Sequence, residues 1–125
     1  MILSLIALAG AALQPMAPVS LCGREAVSLA AFSRALDEAV RQRAMVRKDE
    51  AGLRFYNLDE RSNPMPRTRI WMATSSKDKA HPAIACYDYY YGTDGLEMKV
   101  DFRCDGEATA CAALAGRLRI EKDPR

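Results

Sequence analysis

At 125 residues and 13.8 kDa the chain is long enough for one domain with a single core. Apolar residues make up 50% and charged residues 27%, with a formal net charge of +2; this excludes a disordered or collagen-like chain and gives no electrostatic case for nucleic acid. A single histidine excludes a multi-histidine metal site by counting.

No charged side chain precedes Arg24, and Met1 to Leu13 is a nearly continuous run of Leu, Ile and Ala of signal-peptide length. Gln14, Pro15 and Pro18 interrupt it before the roughly 20 apolar residues that a membrane span needs. The reading is a signal peptide over residues 1–20, cleaved between Leu13 and Cys22, and one disulfide-stapled domain over residues 21–125. After cleavage no stable membrane insertion is expected, and the location is periplasmic or secreted. Leu21 stands where a lipoprotein signal requires a small residue before Cys22, so lipidation is not expected.

From Arg24 to Glu50 there is no Pro or Gly, and Leu29, Phe32, Leu36, Ala39 and Val40 recur at helical spacing. This predicts a long N-terminal helix closed by Gly52, with an Asp37–Arg41 pair and an outer row of Arg34, Arg41 and Lys48. Leu53–Leu58 and Arg67–Thr74 are short and rich in aromatic and β-branched residues, which predicts two strands joined by a long loop. Thr74–Pro82 is polar and ends in proline, and reads as a second loop carrying His81 in solvent.

The most informative stretch is Ala83–Cys104. Asp94–Gly95 signals a tight turn, and beyond it Leu96, Met98, Val100, Phe102 and Cys104 alternate with Glu97, Lys99, Asp101 and Arg103. Two registers keep Tyr87, Tyr89 and Tyr91 on the apolar face and Cys86, Asp88 and Tyr90 on the charged one; charge favours the one that sets Asp88 against Lys99 rather than Asp101. A second helix follows, capped by Asp105, with Cys111, Leu114, Ala115 and Leu118 buried. The predicted fold is a two-layer α+β domain: an N-terminal helix, a four-stranded antiparallel sheet with one charged open face, and a short C-terminal helix.

Four cysteines in an exported chain read as two disulfides, and no CxxC or metal-ligand spacing is present. The register separates Cys86 from Cys104 across the hairpin, so the expected pairs are Cys22 with Cys86 and Cys104 with Cys111. No catalytic motif, metal site or cofactor site is recognised. The carboxylate pairs Asp37–Glu38, Asp49–Glu50 and Asp59–Glu60 point apart as neighbours, unlike the facing carboxyls of a hydrolase. Candidate binding residues are Tyr90, on the outer hairpin face, and Met65, Arg67 and Arg69 in the loop from Asp59 to Arg69. These features suggest a non-enzymatic binding or accessory protein for a protein or peptide partner. One alternative is a small secreted hydrolase using His81 with Asp88 or Asp59–Glu60. Another is a carrier of an apolar ligand between helix and sheet.

Overall fold

The structure, a computed structural model, describes residues 18–58 and 68–120. A short ribbon of β1 (Val19–Leu21) and β2 (Arg24–Ala26) precedes α1 (Leu29–Arg41). Five strands then form an antiparallel meander in sequence order: β3 (Met45–Glu50), β4 (Leu53–Leu58), β5 (Thr68–Thr74), β6 (Ala83–Gly92) and β7 (Gly95–Cys104). The last described element is α2 (Ala108–Arg117). The chain is therefore α+β and mostly sheet, with seven strands in two antiparallel sheets among the described residues. The four-stranded, two-layer expectation is overturned.

Two departures account for the difference. The first is the length of the N-terminal helix. Ser28 begins it, its hydroxyl accepting the Ala31 N–H at 3.0 Å, so Arg24–Ala26 are free to form β2. Its end is set by Arg43, which adopts φ 60° while its N–H reaches Val40 O and the Ala44 N–H reaches Ala39 O. This is a Schellman ending with arginine in the left-handed position that glycine usually fills. Met45–Glu50 consequently form a strand instead of two more helical turns. Gly52 caps no helix; Ala51 (φ 53°) and Gly52 (φ 78°) make the two-residue β3–β4 turn, whose twist demands left-handed backbone at both positions. The supposed row of Arg34, Arg41 and Lys48 is thereby broken, since Lys48 lies on β3.

The second departure is that both faces of the sheet are covered. On one face Leu29, Phe32 and Leu36 of α1 pack on Tyr56, Trp71, Ala73, Ile84 and Cys86, with Val19 and Leu21 of the ribbon closing the cluster. The rings of Phe32 and Trp71 lie 5.2 Å apart. On the opposite face Leu114 of α2 packs with Leu53, Met72, Ala80, Ala83 and Ala85. Burying each Leu or Phe side chain contributes on the order of 2 kcal/mol, so two separate layers divide the stabilisation. Trp71 to Thr74 and Ala83 to Cys86 are buried at every position, as strands covered on both sides must be.

Asp37 of α1 does not pair with Arg41. It accepts the Tyr56 hydroxyl at 2.7 Å and faces Arg47 at 3.6 Å and Arg54 at 3.8 Å, while Glu38 takes Arg41. Burial first, and the hydrogen bond to Asp37 second, push the Tyr56 phenol from its ordinary value near 10 up to about 12. The folded state thus prefers the neutral phenol. Its contribution is complete below pH 10 and is lost as the pH rises through about 12. In an alkaline titration of tyrosinate absorbance, Tyr56 should ionise latest of the five tyrosines, together with unfolding, while burial also delays Tyr87. Tyr56→Phe should abolish that component and flatten stability between those two pH values; an unchanged titration would dismiss the assignment.

Candidate binding surface

The hairpin β6–β7 reaches beyond both helices. Each strand has 10 residues and extends about 33 Å, whereas the 10-residue α2 is about 15 Å long and covers only the base of the hairpin in any orientation. Ala83, Ala85, Tyr87 and Phe102 lie under or beside α2, and the Tyr87 hydroxyl donates to Leu118 O at 3.3 Å. Toward the tip the same face carries Tyr89, Tyr91, Leu96 and Met98, outside both core clusters. Tyr91 is 73% exposed, Leu96 64% and Met98 52%. Tyr91 pairs with Leu96 and Tyr89 with Met98, so these apolar side chains form one continuous patch.

The register sets Asp88 against Lys99, as charge favoured. The turn itself is Thr93–Asp94, with Gly95 opening β7 at φ 104°. On the charged face Arg69 of β5, Asp88 of β6 and Lys99 of β7 stand in successive register positions. Arg69 Nε lies 3.4 Å from Asp88, whose carboxylate is buried, not solvated as a charged open face would have it. Above them sits the β1–β2 turn, where Cys22 (φ 50°) and Gly23 (φ 77°) again supply left-handed backbone. The Cys22 N–H donates to Asp101 Oδ2 at 2.6 Å, and the Cys22–Cys86 disulfide ties the turn to β6. Cys22, Gly23, Arg69, Asp88, Lys99 and Asp101 enclose a notch of about 210 Å³. A second notch, of about 190 Å³, lies toward the β3–β4 edge against Arg47, Asp49 and Arg54, which share the same face of the sheet. Charged and polar residues predominate among those that line each notch.

Cys104 bridges to Cys111, seven residues on, joining the end of β7 to α2. Both bridges are the pairs expected from the register. They are consistent with an oxidising extracellular or periplasmic setting. Among the described residues no helix is long and apolar enough to cross a membrane, and no cluster of three or more His, Cys, Asp or Glu is placed to hold a metal ion.

His81 is half-buried and not carried free in solvent. Its backbone N–H bonds Asp78 O at 3.0 Å, the Asp78 carboxylate accepts the Ala80 N–H at 2.9 Å, and Ala80 is buried in the core under α2. Thr74 Oγ1 stands 3.0 Å from His81 Nδ1. That hydroxyl is fully buried and also accepts the Ala83 N–H at 3.0 Å, so the pair anchors the loop to β6 and offers no nucleophile to an incoming substrate. Of the other carboxylates weighed from the sequence, Glu38 is engaged by Arg41 and Asp49 by Arg47. Asp105 bonds Arg103 instead of capping α2, whose first position follows Glu107.

Among the candidate binding residues, Tyr90 is half-buried on the charged face opposite Glu97, one step beyond Asp88, and Arg69 is diagonal to it on the neighbouring strand. Met65, Arg67 and Asp59–Glu60 lie outside the described residues, as does the leader up to Ala17. Tyr91, Leu96 and Met98 lie on the apolar face, as the alternation predicts, but no helix covers that face at the tip. The available signal was length, because 10 helical residues cannot cover 10 extended ones. Comparison of the chain with protein-family models, curated proteins and solved structures finds no match.

Proposed function

We propose that the chain is a small exported binding or accessory protein that engages a protein or peptide partner through the tip of the β6–β7 hairpin, without a catalytic step. One observation carries the reading: Tyr91, Leu96 and Met98 form an apolar patch, each more than half exposed, on a strand pair whose base is fixed by two disulfides. Large apolar side chains grouped on a rigid surface are the usual core of a protein contact, and tyrosine adds a polar end at little entropic cost. The charged notch on the reverse face, with Arg69, Asp88 and Lys99, supplies orientation for a partner that wraps the hairpin.

Export is supported by the uncharged apolar run Met1–Leu13 and by the two bridges. Val19 pairs with Ala26 and is 6% exposed within the core under α1, so we place the mature N-terminus after Leu13 and before Val19. Terminal sequencing of the native protein checks this; a mature chain starting beyond Val19 would remove β1.

The functional test is affinity capture from an envelope extract, comparing the wild type with a Tyr91→Ser/Leu96→Ser variant. A partner retained by the wild type and lost with the variant is the expected result. Equal capture by both would move the site elsewhere, and a hydrolytic activity abolished by His81→Ala in a folded protein would replace the binding reading with catalysis.

A further inference from the structure

We infer that the outer edge of β7 pairs antiparallel with β7 of a second copy of this chain, centred on Val100, joining two five-stranded sheets into one of ten strands. β7 is the last strand in the sheet order, and among the described residues no strand pairs with its outer side. The two-residue connection Thr93–Asp94 closes on Gly92–Gly95, a pair that exchanges its hydrogen bonds inside the hairpin. Alternation then directs the N–H and C=O of Leu96, Met98, Val100, Phe102 and Cys104 outward. No residue of β7 is buried. The opposite edge, β3, is shorter and carries four consecutive charges from Arg47 to Glu50, a common guard against edge pairing.

The charges of β7 select the partner. Glu97, Lys99, Asp101 and Arg103 share one face and alternate in sign, so the row is antisymmetric about Val100. An antiparallel copy centred there sets Glu97 against Arg103 and Lys99 against Asp101, each pair twice by symmetry. On the other face Met98 meets Phe102, and Val100 meets its own copy. The Cys22 N–H bond to Asp101 Oδ2 holds that carboxylate in the row. Because outward backbone groups belong only to even-numbered residues, the neighbouring registers are centred on residues 99 and 101. The first opposes Lys99 to itself and Glu97 to Asp101; the second opposes Asp101 to itself and Lys99 to Arg103. Both are repulsive; registers centred on Met98 or Phe102 keep one complementary couple each, Glu97 with Lys99 or Asp101 with Arg103, so the register centred on Val100 alone uses all four charges.

This goes beyond the proposed function, since edge pairing lies in the plane of the sheet and needs no other protein. Sedimentation equilibrium of the purified, disulfide-intact chain tests it. A dimer is expected, and Glu97→Arg should weaken it about tenfold by opposing arginines across both symmetric pairs. Glu97→Arg combined with Arg103→Glu should restore it, because the opposing charges are exchanged and not removed. Dimerisation should also slow amide exchange at Met98, Val100 and Phe102. A monomer at every soluble concentration overturns the inference, as does a dimer indifferent to the single reversal or not restored by the exchange. Near-ultraviolet circular dichroism verifies that each variant is folded. Capture of a partner by the hairpin tip is read separately, so either reading can fail without the other.

Discussion

Replacing Cys22 by serine is expected to lower the unfolding free energy by about 4 kcal/mol, against about 2.5 kcal/mol for Cys111→Ser. The contrast follows from the loops that the bridges close. Cys22 and Cys86 are 64 residues apart, and Cys104 and Cys111 only 7, so the first restricts far more of the unfolded ensemble. The folded state adds to the difference. Cys86 is fully buried in the core under α1, and its bridge holds a ribbon that contributes Val19 and Leu21 to the same cluster. A small domain has on the order of 5–15 kcal/mol in all, so loss of the long bridge removes a large share. Urea titrations of the two single variants, with the remaining bridge intact, measure the effect. Equal losses would mean that Val19 and Leu21 hold the ribbon in place without the covalent tie. The effect also reaches the hairpin, because the Cys22 N–H that fixes Asp101 sits in the turn that the bridge anchors.

How far the fold could be read depended on how strongly burial imposed a period. Strict alternation from Leu96 to Cys104 specified β7, its face assignment and the separation of Cys86 from Cys104, because a half-buried strand leaves a pattern of two in the sequence. β3 left no such pattern. Five of its six residues are exposed, so Val46 to Glu50 read equally well as a solvated helix face. The real end of α1 was hidden for a related reason: Arg43 takes the left-handed backbone that glycine would have advertised. Cover on both faces of the sheet was visible in principle in the continuous apolar runs Ile70–Ala73 and Ala83–Cys86, which a sheet open to water on one side does not need. For the site, the alternation named Tyr91, Leu96 and Met98 as apolar-face residues. Their exposure depends on where α2 stops, a tertiary property that alternation does not encode.

Two glycines near α2 should respond to alanine with opposite signs. At Gly106 a Cβ would run into both Ala80 C and Ala80 O and lie 2.6 Å from Lys79 O. These are backbone atoms of a loop that is itself held by the Glu107 N–H to Lys79 O and the Asp105 N–H to Pro82 O, both at 2.9 Å. Neither side can yield cheaply, and Ala80 is buried among the residues that α2 covers. Gly106→Ala should therefore destabilise by about 3 kcal/mol, the upper range for an added carbon in a filled site. Gly116 lies inside α2 with nothing within 4 Å of its would-be Cβ. There alanine restricts the unfolded chain and favours the helix, so Gly116→Ala should stabilise by roughly 0.5–1 kcal/mol. Thermal unfolding of both variants at one pH decides the matter. If Gly106→Ala proved neutral, the loop from Ser75 to Pro82 would not be wedged between β7 and α2; the second core layer, and the anchoring of His81 that depends on it, would need another source of rigidity.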